Sequence, residues 1–311
     1  MDKNKILKSK FLKELEYGSS RVMIKLLVLI ASWMSLGSIR KLGNVLGDIG
    51  YFIVFRHRQR TIANMKLVYG DQKSLAEIKQ MTRQIFRYLS RCGCEIVYFC
   101  SRDNIKSAVG LVNSVEGEQY LRQAQKEGKG IIIISAHMGN FMLVGRKLTN
   151  MGYKTATIMR QMKDEKLEKL FTKWRNEKMG QHTIPKLPLW KSVRQSLDWL
   201  GQGNILAMYI DQRSGSGVWV DFFGIPTLTA TGAAVFALRT GAPVVPLVVV
   251  NRNNGFYKLI IEQPVKMDNT GERKKDIETN TARFTKIIEK YVRKYPTQWF
   301  WVHNRWKEKR P

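Results

Sequence analysis

The stretch IIIISAHMGNFMLVG, residues 131–145, decides how the chain is read. Ile131 to Ile134 is a short β-branched run of the length and composition of a buried strand. It breaks at Ser135 and Ala136 and delivers His137 at the strand's carboxyl end. Gly139 and Asn140 then form a turn, after which the pattern enters a helix. In open α/β sheets ligands gather outside the carboxyl ends of the strands. A histidine on such a turn is placed to act as a general base, and the alternative role is a hydrogen bond to a loop.

Downstream the same alternation repeats. KTATIMR is a strand, DEKLEKLFTKWRNEKMG an amphipathic helix, HTIP a short strand and LWKSVRQSLDWLGQG a helix. NILAMYIDQ is a strand, TATGAAVFALRTGAP a helix, VVPLVVVNR and FYKLIIEQP are strands, and DIETNTARFTKIIEKYVRKYP closes with a long helix. Strands separated by helices of this length predict an α/β fold with a mostly parallel sheet covered by helices on both faces.

Upstream the pattern is helical. VMIKLLVLIASWMSL, residues 22–36, is apolar but shorter than the roughly 20 residues a spanning helix needs, and Lys25 interrupts it. With the charged lead before it, this predicts a helix lying in or shallowly inserted into a membrane surface, and an ordinary core helix is the alternative. The expected organisation is a basic and apolar N-terminal region over 1–36 and one α/β domain over 37–311, helical to 111 and alternating from 112.

The 311 residues include 53 basic and 25 acidic side chains, a formal charge of +28. That excess points to a polyanionic partner. Nucleic acid gains nothing beyond the charge, for there is no zinc-finger spacing, aromatic RNA-binding signature or basic heptad helix. Basic residues mixed with Trp, Tyr and Leu suit an anionic lipid surface. The three cysteines, Cys92, Cys94 and Cys100, suit buried free thiols and give no metal spacing.

Three sets of residues fall on the expected carboxyl rim: His137, then Arg160 after KTATIM, then Asp211 and Gln212 after NILAMYI. A base, a cation and a carboxylate there suit acyl transfer, with an Arg160–Asp211 ion pair as the structural alternative. RSGSGVWVDFFGIPTLTATGAA reads as a flexible loop, with Gly215, Gly217 and Gly224 around aromatic residues, in which Trp219, Phe222 and Phe223 are candidates to wall an acyl channel, or else core. Thr229 and Thr231 precede a helix whose amino end can hold an anion. YPTQWFWVHNRWK is either a lipid-interface belt or a buried cap with a basic rim.

In this order HMGNF, Arg160, IDQ, GVWVDFFGIPTLTATG, RTGAPVVPLVVV and YPTQWFWVHNRWK resemble the bacterial lipid A late acyltransferases, the lauroyl/myristoyl transferase family of the lysophospholipid acyltransferase group. The resemblance spans residues 20–308. It implies an enzyme on the cytoplasmic face of the inner membrane, monotopic or held by one N-terminal anchor. Such an enzyme moves a fatty acyl chain from acyl carrier protein or coenzyme A to a glycolipid hydroxyl, with no metal and no other cofactor. It implies His137 as base, Arg160 as an oxyanion or phosphate contact, and Gly139, Asn140, Gln212, Phe222, Phe223 and Gly224 on the substrate side.

One position departs. The family motif has a carboxylate five residues after its histidine, and here Met142 stands there. Methionine neither fixes an imidazole tautomer nor stabilises imidazolium. Three accounts stay open. Asp211 supplies the carboxylate; or the enzyme works slowly or on a more acidic acceptor; or catalysis is lost and lipid binding kept.

Overall fold

The computed structural model describes residues 3–101, 109–252 and 254–307. The start of the expected N-terminal helix at residues 1–2, the expected helical stretch 102–108 and the side chains of 3–13, 15 and 16 lie outside that description. Helix α1 is Lys3–Trp33, α2 Leu36–Ile53, α3 Phe55–Tyr69 and α4 Leu75–Ser101. Then follow β1 Val112–Glu116, α5 Glu118–Lys126, β2 Ile131–Ser135, α6 Leu143–Asn150 and β3 Thr155–Met159. After these come α7 Glu165–Lys173, β4 Gln181–Pro185, α8 Leu189–Gly201, β5 Ile205–Tyr209 and the pair β6 Val218–Phe222 and β7 Ile225–Thr229. Helix α9 Gly232–Thr240, β8 Val244–Asn251, β9 Tyr257–Ile261 and α10 Arg273–Lys294 complete the order.

Seven strands form one sheet in the order β1-β9-β8-β2-β5-β3-β4, parallel throughout except where β8 meets β9. Strand β2 lies near the middle and is buried along its whole length. Its side chains alternate between two cores. Ile131 and Ile133 join Val245, Leu247 and Val249 against α4, α5 and α6. Ile132 and Ile134 join Val244, Val248 and Val250 against α3, α9 and α10. Strict two-residue alternation with both faces apolar is what a covered parallel sheet requires. The mostly parallel α/β fold expected from the alternation is therefore present.

The N-terminal helices dock on one another through small residues. A Cβ on Gly43 or Gly47 of α2 would stand 2.7 Å from Arg91 Cα or 2.4 Å from Arg87 Cα. Only glycine lets α2 and α4 approach at this distance, and Asp48 locks the contact by accepting from Arg83 and Arg87, each at 2.6 Å.

Helix α1 is apolar on two sides. Ile24, Val28 and Ala31 pack inward, while Val22, Met23, Leu26, Leu29, Ile30 and Trp33 face out, Trp33 with 84% of its surface exposed. No helix among the described residues is long and apolar enough to cross a membrane.

Residues 218–229, expected as a flexible loop, are an antiparallel hairpin with Val218 opposite Thr229 and Phe222 opposite Ile225. Its two turn residues, Phe223 and Gly224, both have positive φ, at 61° and 75°. That conformation matches the natural twist of paired strands. The alternation VWVDF and IPTLT carried the strand signal, and the neighbouring glycines concealed it.

Candidate active site

Parallel pairing of β2 with β5 sets Ser135 opposite Tyr209. His137 and Asp211 each lie two residues beyond that registered pair, so both leave the same rim side by side. Asp211 is buried and takes three donors. The His137 amide reaches Oδ2 at 2.9 Å, the Trp299 indole Nε1 reaches Oδ2 at 2.7 Å, and His137 Nδ1 lies 2.8 Å from Oδ1. Burial pushes the Asp211 carboxyl upward, but the His137 charge and hydrogen bonds, with the Trp299 indole, outweigh it and hold the group below the usual carboxylate range. An ionised carboxylate only accepts, so Nδ1 is the nitrogen that carries a proton toward Asp211, and in the neutral ring the lone pair lies on Nε2. The imidazole is 22% exposed and ringed by Phe141, Tyr209 and Phe300, with centroids 4.9, 5.0 and 6.1 Å away.

The turn after His137 is held from below. Gly139 has φ +60°, and a Cβ there would meet the Val249 carbonyl oxygen at 2.0 Å. Its amide donates to Gln298 O at 3.0 Å, and Met138 bridges Trp299, so residues 298–299 run against the turn. Asn140 is buried and donates to Glu95 Oε2 at 2.9 Å. The same oxygen accepts from Tyr257 at 2.6 Å, and Oε1 from Arg40 at 2.6 Å. Gly139 and Asn140, expected to touch substrate, instead brace the turn from inside, because strand β8 and helix α4 occupy the space beneath them.

Met142 immediately precedes α6, half-buried, and packs with Phe141 on the same apolar cluster as Leu143 and Val144. The carboxylate beside His137 belongs to Asp211. Arg160 is exposed just past β3, on the same rim because β3 pairs with β5 in parallel. It makes no ion pair with Asp211, whose partners are His137 and Trp299.

The other expected residues fall into the support. Gln212 offers its carbonyl to Arg305 Nη1 at 2.6 Å. Phe222 is wholly buried, stacked on Trp306 at 5.7 Å and against Trp299 at 5.6 Å, so its ring belongs to the core and not to a channel wall. Phe223 and Gly224 make the hairpin turn, with Arg293 4.4 Å over the Phe223 ring. Thr229 Oγ1 accepts from Arg305 Nη2 at 2.7 Å, and Thr231 gives α9 no side-chain cap.

Trp299, Trp301 and Arg305 are all buried, so the YPTQWFWVHNRWK segment is a cap on the rim and not an interface belt. Desolvation lowers the Arg305 guanidinium to about 10. Its hydrogen bonds to Gln212 and Thr229, with a longer one of 3.3 Å to the Leu228 carbonyl, fasten hairpin and rim together. The role of Trp299 escaped the sequence reading. An indole among aromatics carries no local sign of the carboxylate it meets. Among the described residues no group of three or more His, Cys, Asp and Glu side chains assembles as a metal site.

A seven-stranded, mostly parallel α/β sheet with a histidine–carboxylate pair on its carboxyl rim is an architecture suited to transfer chemistry on a hydroxyl. The chain matches the bacterial lipid A biosynthesis acyltransferase family over residues 8–308, and it belongs to that family. It is 23% identical over 273 residues to a lipid A biosynthesis palmitoleoyltransferase of Escherichia coli, covering 81% of this chain and 80% of that one. It is 25% identical over 197 residues to the E. coli lipid A biosynthesis lauroyltransferase, covering 62% and 61%. A phosphatidylinositol mannoside acyltransferase of Mycobacterium tuberculosis is 30% identical over 146 residues, 45% of each chain. These relatives are acyltransferases named for lipid A or a glycosylated lipid.

Proposed function

We propose that the chain is a membrane-associated O-acyltransferase that moves a fatty acyl group from an acyl thioester to a hydroxyl of a glycolipid of the lipid A precursor type. The carrying observation is the His137–Asp211 pair, with Nδ1 bound and Nε2 free to act. His137 Nε2 takes the proton of the acceptor hydroxyl while its oxygen attacks the thioester carbonyl carbon. The tetrahedral oxyanion collapses, the C–S bond breaks, and the departing thiolate takes the proton back from the imidazolium. The products are ester and thiol. Asp211 holds the tautomer and balances the transient positive charge. Arg160, exposed on the rim, is the cation for the oxyanion or for a phosphate of either substrate.

The donor is acyl carrier protein or coenzyme A, with no metal and no other cofactor. The charge of +28 supports docking of an acidic carrier and of anionic lipid. The outward apolar residues of α1 support a monotopic seat on the cytoplasmic face of the bacterial inner membrane. Nucleic acid has no part in this reading.

Purified protein incubated with radiolabelled acyl carrier protein and a lipid A precursor should form acylated lipid, and His137→Ala should abolish it. A second reading, a lipid-binding relative without turnover, rests on Met142 at the family's carboxylate position. Measurable transfer by the unaltered chain eliminates it. No transfer by the unaltered chain, with lipid binding intact, establishes it instead.

A further inference from the structure

Three large apolar side chains stand in water within four residues at the edge of the sheet. Leu187, Leu189 and Trp190 are 61%, 65% and 68% exposed. Lys186 and Lys191 flank them, both exposed. Single apolar residues on a surface are ordinary, but a cluster bounded by cations is not.

Its position is fixed by the sheet. Strand β4 runs parallel to β3, so the segment KLPLWK leaves from the rim that carries His137, Asp211 and Arg160. The Lys186 amide donates to the Met159 carbonyl at 2.8 Å, next to Arg160. On the far side of the same exit loop, Arg21 of α1 forks onto Asp164 at 2.8 and 3.0 Å. Met162, itself exposed, lies between these two anchors. Arg21, where the apolar stretch of α1 begins, and the KLPLWK segment therefore flank the loop that follows β3.

We propose that residues 186–191 form a second contact with an anionic lipid surface, separate from α1, and that this contact turns the catalytic rim toward the bilayer. The proposal rests on the membrane-associated reading above. An indole and two leucines suit the boundary between head groups and acyl chains, and lysines on either side suit anionic phosphates. A lipid surface answers the lysines and the apolar side chains together, with no shaped partner face required. Two contacts, one on each side of the rim, define a plane that a single helix cannot. The acceptor hydroxyl then reaches His137 without its lipid tails leaving the membrane.

The test uses the full chain and vesicles of phosphatidylglycerol and phosphatidylcholine, read by co-sedimentation. The double variant Leu187→Ser with Trp190→Ser should bind on the order of tenfold or more weakly. Its thermal melt should match the parent's, because both side chains are exposed. Tryptophan quenching by brominated lipid should drop in Trp190→Phe. Lys186→Gln with Lys191→Gln should lower binding at low salt and converge with the parent at high salt. Parent-like vesicle binding by the double variant overturns the rim contact alone. No vesicle binding by the parent overturns it together with the membrane reading. Loss of acyl carrier protein binding with vesicle binding intact assigns the segment to the carrier and also overturns it.

Discussion

His137 and Asp211 meet twice: ring nitrogen to Oδ1 at 2.8 Å and main-chain amide to Oδ2 at 2.9 Å. A carboxylate that holds both the ring and the backbone of its histidine fixes the side chain's tautomer and its place together. Asp211→Asn should lower kcat by about 10³–10⁴-fold with the fold intact, as removal of an orienting carboxylate does elsewhere. Met142→Glu should not compensate, because position 142 packs on an apolar cluster and Nδ1 already has its partner. Restoration of activity by Met142→Glu in the Asp211→Asn background would falsify this assignment.

Trp299 holds the second oxygen of that carboxylate at 2.7 Å. Trp299→Phe keeps the ring packing and deletes the donor. The expected result is a fall of about tenfold in kcat with KM little changed, the effect of one hydrogen bond to a charged group. Steady-state kinetics with the acyl thioester varied measures both constants.

The Asp211 carboxyl sits below its ordinary range in the folded protein. A depressed carboxyl contributes stability above its unfolded value of about 3.9 and loses that contribution as pH falls through the folded value. The stability gap between the parent and Asp211→Asn should thus be full at neutral pH and close in acid. Urea melts at a series of pH values test the sign; a gap that widens toward acid contradicts it.

Glu95 is fully buried and joins Arg40, Asn140 and Tyr257 beneath the His137 turn. Glu95→Ala strands Arg40 and should cost about 3–5 kcal/mol in a denaturant melt. Glu95→Gln keeps the volume and should cost less. In both, the loosened Asn140 anchor should lower kcat more than it raises KM.

The sequence made the sheet legible because β2 and its neighbours are apolar on both faces and are bounded by glycine turns. It also placed His137 and Asp211 on one rim, since both follow strands directly. What it did not carry was direction. Gly139 and Asn140 follow the rim histidine, yet they are buried in the body of the protein, and nothing local distinguishes a brace from a substrate contact. Phe222 reads equally as a channel wall or as core until its hairpin partner is known. Trp299 and Arg305 act on residues 88 and 93 positions away, beyond the reach of any periodicity.

The Gln298–Trp299 strip carries a consequence for how the molecule is made. Asp211 emerges from the ribosome 88 residues before the indole that secures it. Until that strip is laid down, the carboxylate lacks its indole donor and the His137 turn lacks its bracing strip. The surroundings of Asp211 are therefore completed only when residues 298 and 299 dock against the rim.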